Sequence, residues 1–197
     1  MDLNLAALLM QVRDTLANPR GGARRIMELR LSAQTGWSAV ALMAVVSTLM
    51  AYVSFHLSPV DARAFFAEAM SIPLRTAFLQ LFVWVAGTFA IYRLGRARGG
   101  RGTMAEAISL VAWLQFVMLV LQIVTLLAQV LVPPLAGVLA LAEIVVFFWL
   151  LVNFVAELHG FKSLVATFAG VLAGMCLLLL ALAIILVPFI GQIGMGG

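Results

Sequence analysis

The sequence predicts an all-α, polytopic membrane protein, in which a five-transmembrane-helix bundle follows an N-terminal cytoplasmic amphipathic segment. Of its 197 residues, 64% are hydrophobic and 10% are charged, whereas charged residues make up about 25% of a typical soluble domain. A spanning helix needs roughly 20 mostly apolar residues. Five stretches meet that requirement: Gly36–Phe55, Ile72–Arg93, Ala105–Val132, Leu135–Ala156 and Ser163–Phe189.

Residues 1–35 form the predicted amphipathic segment. Apolar residues recur at helical spacing as far as Leu16, and Asn18-Pro19 ends one helix and begins the next, since proline suits the first helical position. The second helix carries three basic residues, Arg24, Arg25 and Arg30. A basic amphipathic helix lies in the headgroup plane. We therefore predict a surface anchor, with a lipid-sensing or partner-docking arm as the alternative, and expect the spans to fold without residues 1–17.

The distribution of arginines predicts the direction of insertion, because positively charged loops stay on the cytoplasmic side of a membrane. Five arginines precede the first span and four follow the second, but only two lie between these spans. The N-terminus is therefore expected inside and the C-terminus outside. The arginines after the second span are expected to attract anionic headgroups by roughly 1 kcal/mol each. They include Arg96, Arg98 and Arg101.

The fifth span contains two small residues four positions apart, Gly170 and Gly174. Such a face lets two helix backbones approach closely in lipid. We favour packing within the monomer and keep dimerisation as the alternative. Cys176 is the only cysteine, so neither an internal disulfide nor a Cys/His metal site is expected. Neither a nucleophile–base pair nor a metal-ligand pattern is evident, and we predict a protein that is not an enzyme and carries no cofactor or metal.

The third and fourth spans are predicted to carry a polar seam at their interface. Three glutamines in the third span are seven residues apart, which places them on one helical face: Gln115, Gln122 and Gln129. When the chain folds back at Pro133-Pro134, residues equally far from the turn lie at equal depth. Glu143 then lies level with Gln122 and Thr125, and Asn153 lies level with Gln115.

Glu143 is expected near the middle of the membrane. It follows Pro134 by nine residues, which is about 13 Å of helix in a hydrocarbon core about 30 Å thick. No lysine or arginine is available at that depth, and desolvation favours the neutral form of a carboxyl group, so we expect Glu143 to be protonated. Two roles remain open: a functional intramembrane carboxyl group, or a hydrogen-bonding tie between two helices.

Five spans, a basic N-terminal segment with a proline before the first span, and one loop motif together resemble bacterial members of the Yip1 family. That motif lies between the last two spans and reads Glu157-Leu158-His159-Gly160-Phe161-Lys162-Ser163. The resemblance covers roughly residues 15–190. Eukaryotic relatives carry Asp-Leu-Tyr-Gly-Pro and Gly-Tyr motifs and are associated with Rab GTPases. Those motifs are missing here, so the resemblance implies the fold and does not imply GTPase binding.

This resemblance implies a multi-pass protein of the bacterial inner membrane, with a Yip1-like membrane domain over residues 36–190 and a periplasmic tail over 191–197. We predict a non-enzymatic protein that binds membrane or protein partners, or organises membrane. The alternatives are a small transporter or lipid-translocating protein that uses the Glu143/Gln122 seam, and an accessory subunit of a larger membrane complex. The expected partners are the lipid bilayer, its anionic headgroups, and a membrane protein or a second copy of the chain. Nucleic acid is not expected.

Overall fold

The computed structural model describes residues 4–60, 63–64, 67 and 70–193, and side chains are described up to residue 184 except at 182. Within this part of the chain all regular structure is helical. The helices are α1 Leu5–Ala17, α2 Pro19–Glu28, α3 Ala33–Leu57, α4 Pro73–Ala97, α5 Met104–Leu131, α6 Pro133–His159 and α7 Leu164–Ile193. Five of them, α3 to α7, are long and apolar enough to cross a membrane.

The predicted all-α fold class is confirmed, with five helices that are long and apolar enough to span a membrane, and their ends lie within about one turn of the predicted ones. Ser32 caps α3 through its side chain, and Thr103 forms a capping box with Glu106 at the start of α5. Each arrangement satisfies backbone N–H groups that a helix leaves unpaired at its N-terminus. Pro133 takes the first position of α6, and Gly160, with φ of 71°, ends that helix in the left-handed conformation.

The predicted C-terminal tail partly overlaps the last helix. The predicted tail begins at residue 191, but α7 continues to Ile193, and residues 194–197 lie outside the described ones, as do residues 1–3. The sequence also predicts a short helix on the outer membrane surface between the first two spans, running as far as Met70, because Ser58-Pro59 is typical of a helix start. Six of its residues, 61, 62, 65, 66, 68 and 69, lie outside the described part.

The hairpin of α5 and α6 occupies the centre of the bundle. Helix α3 runs beside α5 in the same direction, because Gly36 faces Ile108 near their starts and Ser54 bonds to Gln129 near their ends. Close approach at the start requires the glycine, since a Cβ atom at position 36 would lie 2.6 Å from Cγ2 of Ile108. Helices α4 and α7 flank the hairpin on the other side. Helix α5 therefore packs against both α3 and α4.

The N-terminal helices pack against the bundle. Val12 of α1 and two residues of α2, Ala23 and Ile26, belong to the same buried apolar cluster as Trp113 and Leu150. Nε1 of Trp113 also donates a buried hydrogen bond to Oγ1 of Thr15, at 3.2 Å. The boundary between residues 1–35 and a separate membrane domain stays a prediction. In the structure, side chains from both parts pack into the same apolar core.

The central hairpin is buried unevenly. In α5, residues 107–115 are all buried, whereas most of α5 beyond residue 119 and most of α6 before Leu150 are exposed or half-buried. The 28 residues of α5 span about 42 Å, which exceeds a hydrocarbon core of about 30 Å. The charged residues Glu106 and Glu157 lie at the buried end, and the opposite turn, Leu131–Pro133, is apolar. We therefore expect the excess length to extend beyond the hydrocarbon at the buried end.

The glycines of the fifth span face α4 of the same chain. A Cβ atom at Gly174 would lie 3.0 Å from Cδ1 of Leu94, and one at Gly170 would overlap the guanidinium of Arg98. This is the packing within the monomer that the sequence analysis favours. The two glycines let side chains of α4 lie directly on the backbone of α7.

Candidate functional site

The predicted partner of Glu143 on α5 is present at the middle of the hairpin. Oγ1 of Thr125 donates a short hydrogen bond to Oε1 of Glu143, and both side chains are half-buried. The equal-depth rule for an antiparallel hairpin therefore identified one correct pair. Gln122, the other predicted partner, is half-buried and makes no hydrogen bond with the described residues.

Gln129 bonds to α3, a helix that the sequence analysis did not consider as its partner. Its Nε2 donates to the backbone oxygen of Ser54 and to Oγ of Ser58, both at 3.1 Å, and its Oε1 accepts from Oγ of Ser54 at 2.7 Å. The C-terminal end of α3 thus forms hydrogen bonds with both the nitrogen and the oxygen of the Gln129 amide. A similar polar contact joins α3 to α4, where Oγ1 of Thr48 donates to Oε1 of Gln80 at 2.7 Å.

The third predicted pair, Gln115 with Asn153, is not a hydrogen-bonded pair in the structure. Nδ2 of Asn153 donates to the backbone oxygen of Trp149 in its own helix, at 2.8 Å. Gln115 is 2% exposed, and neither polar atom of its amide has a partner among the described residues. Both side chains are buried at the end of the hairpin away from the Pro133-Pro134 turn, but they do not form a hydrogen bond with each other.

The seam therefore consists of separate contacts. Among the described residues, hydrogen bonds join α3 to α4, α3 to α5 and α5 to α6, and each uses a different pair of side chains. The described residues also contain no group of three His, Cys, Asp or Glu that could hold a metal ion. Such isolated pairs hold neighbouring helices together in lipid.

A second cluster surrounds His159, at the end of α6. The imidazole is 2% exposed, and its Nε2 lies 3.1 Å from the backbone oxygen of Ile91 in α4. Gly95 and Gly100 enclose it, because a Cβ atom at either position would overlap the ring. Phe161 lies against it with ring centroids 5.4 Å apart. His159 thereby fixes the loop that follows α4.

That loop and the end of α4 before it, residues 93–102, are together named here the basic loop. The side chains of its four arginines are exposed and make no hydrogen bond or ion pair within the described part of the chain: Arg93, Arg96, Arg98 and Arg101. Its glycines at 95, 100 and 102 face buried atoms of α6, and position 102 faces Leu158. The loop is therefore anchored on one side and cationic on the other.

The arginines of α2 are used differently. Nε and Nη2 of Arg24 donate to Oε1 of Glu157 at 3.0 and 2.9 Å, and Nη1 of Arg25 lies 3.2 Å from Oδ2 of Asp14. Nη2 of Arg20 donates to the backbone oxygen of Phe161 at 3.2 Å. The sequence predicts that Arg24 and Arg25 lie in the headgroup plane. In the structure, Arg20 and Arg24 hold α2 to the bundle, and Arg25 holds it to α1. Arg30 is exposed, in a left-handed conformation with φ of 47°.

Sequence reasoning missed the His159 cluster and the contacts of α3. The sequence contains a signal for the His159 cluster, because glycines recur at positions 95, 100 and 102. The positive charge of this segment does not by itself require small residues there. The signal for the second was weaker, since Ser54, Ser58 and Thr48 are common residues in spanning helices. Their relevance depends on which helix lies next to α5.

The comparisons with known proteins agree with the helical architecture. The family model described as Yip1 domain matches residues 13–185, which is most of the chain. Neither the curated proteins nor the solved structures that were compared with the chain gave a match.

Proposed function

We propose, on the premise that the chain belongs to the Yip1 domain family and is a multi-pass membrane protein, that it works without catalysis by holding anionic partners at its basic loop. The loop would face the cytoplasm of a bacterial inner membrane, with the N-terminus on the same side. Its partners would be anionic lipid headgroups and, through the same charges, acidic surfaces of membrane proteins.

The observation that carries this proposal is the combination of anchoring and unpaired charge in the basic loop. Correct membrane insertion needs only that positive charges be present in a loop. It does not need the loop to be held in place by a buried imidazole between Gly95 and Gly100. A binding surface benefits from such support, because preorganised groups lose less conformational freedom on binding.

Co-purified lipid tests the proposal. The protein would be extracted from its membrane in mild detergent, and the bound phospholipids would be quantified by mass spectrometry against the composition of the whole membrane. We expect enrichment of anionic phospholipid that falls as the salt concentration rises, since exposed charges are screened by salt. Arg96→Gln combined with Arg101→Gln should lower that enrichment.

Arg25→Gln is the matched control, because Arg25 already pairs with Asp14. It should leave the enrichment unchanged. Circular dichroism and gel filtration would establish that each variant is folded. Wild-type protein whose bound lipid has the composition of the whole membrane would contradict the proposal, as would equal enrichment in the double variant.

A further inference from the structure

A groove of about 650 Å³ runs between α4 and α7. Its floor comes from α5 and α6, through side chains such as Leu114 and Leu151, and its walls are largely apolar. Residues on its rim are exposed, with Val83 at 43% and Leu177 at 59%, so the groove opens sideways, where lipid surrounds a spanning bundle. Its volume falls within the range of about 300–1,000 Å³ that is usual for ligand pockets.

Cationic groups are concentrated at one end of the groove. Arg98, which caps the C-terminus of α4, and Lys162, from the segment before α7, both line it. Both side chains are exposed, and neither forms an ion pair or hydrogen bond with the residues that the structure describes. The guanidinium of Arg98 lies directly over Gly170, where a Cβ atom would overlap Nη1.

The groove is long enough to hold an acyl chain that crosses one leaflet of a bilayer. Val83 lines it fifteen residues before Arg98 and Gly87 eleven residues before Arg98, which correspond to about 22 Å and about 16 Å along the helix axis. One leaflet contributes half of a hydrocarbon core about 30 Å thick. An acyl chain that begins at the level of Arg98 therefore reaches the bilayer midplane near Gly87.

Charge favours a lipid over an apolar transmembrane helix as the occupant, because such a helix would leave the two cations at one end of the groove without a negative partner. An acyl chain is much narrower, and its apolar surface suits the walls. The two cations at one end require a negative group at one end of the occupant, which an apolar chain alone does not have.

We infer that this groove binds a single phospholipid with an anionic headgroup, its phosphate between Arg98 and Lys162 and one acyl chain along α4 to Gly87. The inference deepens the proposed function and rests on it for the orientation of the basic end. It differs in kind, because it predicts one lipid in a shaped site, whereas the basic loop attracts headgroups by exposed charge.

Gly87 offers a substitution that fills the groove without disturbing the helix. A Cβ atom at Gly87 meets nothing within 4 Å, and the same is true at Gly137 in α6, which does not line the groove. Gly87→Leu therefore places a side chain where the acyl chain would lie. Gly137→Leu makes the same chemical change on an exposed helix surface and is the matched control.

The experiment is native mass spectrometry of the purified, delipidated full-length protein, titrated with phosphatidylglycerol or with phosphatidylcholine of the same chain length. We expect one tightly bound phosphatidylglycerol in the wild type and in Gly137→Leu. In Gly87→Leu its affinity should fall at least tenfold. In Arg98→Gln combined with Lys162→Gln it should fall at least tenfold for phosphatidylglycerol, and phosphatidylcholine should bind the wild type as weakly as this variant binds phosphatidylglycerol.

Three outcomes would overturn the inference: no single tight lipid in the wild type, equal binding by Gly87→Leu and Gly137→Leu, or equal affinity of the wild type for the two lipids. Arg96→Gln with Arg101→Gln separates the inference from the proposed function. If this variant loses part of the headgroup enrichment but keeps one tight lipid, both stand. If this variant and the wild type show equal enrichment, and only Gly87→Leu loses the one tight lipid, the proposed function falls and the groove remains.

Discussion

The two halves of the central hairpin differ in what surrounds them. The half named here the core half, residues 107–119 and 150–159, is mostly buried and is covered by α1, α2 and the flanking spans. The open half, residues 120–149, has many exposed apolar side chains, including Leu127, Val138 and Ile144. The same two helices thus change from a protein environment to an open surface along their length.

We attribute the difference in burial between the two halves to the solvent around each, water at the core half and lipid at the open half. Helices α5 and α6 are longer than the hydrocarbon is thick. We expect their excess length to lie at the core half, where water would otherwise reach apolar side chains. There the hydrophobic effect favours burial, and α1 and α2 supply the cover. In lipid, an exposed leucine carries no such penalty, and helices associate through packing and polar contacts. The open half accordingly relies on pairs such as Thr125 with Glu143.

Deletion of residues 1–17 is the strongest way to break this comparison. The deletion removes Val12 from the apolar core and Thr15 from Trp113, and burial of a single valine contributes about 1.5–3 kcal/mol. We expect the free energy of unfolding to fall by more than about 3 kcal/mol, measured by denaturant titration in detergent. The sequence analysis expects the spans to fold without residues 1–17, and unchanged stability would support a purely superficial position of α1 on the core half.

Truncation of one large aliphatic side chain in each half of α6 compares the two environments directly. Leu150 is completely buried, and Leu150→Ala should cost about 2–5 kcal/mol because it leaves a cavity. Ile144 is 55% exposed, and Ile144→Ala should change stability by no more than about 0.5 kcal/mol. Thermal melts of both variants in the same detergent measure the difference. Equal losses would show that the open half is covered in solution, for example by a second copy.

Alanine substitutions in α4 sharpen the comparison at the basic end. Gly95→Ala places a methyl group into the buried ring of His159 and should cost about 1–3 kcal/mol. Gly87→Ala meets open space and should stabilise the protein by up to about 1 kcal/mol, because alanine is a better helix former than glycine. Chemical denaturation followed by circular dichroism reads both. Equal effects would mean that the imidazole moves aside, and that the basic loop is held by other contacts.

Substitutions of Glu143 give the smallest expected change in stability. Glu143→Gln keeps an acceptor for Oγ1 of Thr125 and should melt close to wild type. Glu143→Leu removes that acceptor and should cost between about 0.6 and 2 kcal/mol. Growth or transport assays on Glu143→Gln test the transporter alternative, which requires loss of activity at unchanged stability. A large fall in the melting temperature of Glu143→Gln would instead point to an ionised carboxylate with another partner.

The central site shows where sequence reasoning succeeds. Thr125 and Glu143 belong to helices joined by a single tight turn, so their depth follows from counting residues. Gln129 bonds to Ser54 and Ser58, which are more than seventy positions away, and no count along the chain relates them. Gln115 and Asn153 have the right depth, but helix rotation directs Asn153 to its own backbone.

The sequence by itself determined the number of long apolar helices and their approximate ends, because length, hydropathy and caps are local properties of the chain. Only the tertiary structure decided which faces meet. It placed α3 beside α5, buried His159 between two glycines, set Arg98 across Gly170, and left a groove between α4 and α7. These features depend on the rotation and neighbours of each helix, which many packed side chains select together.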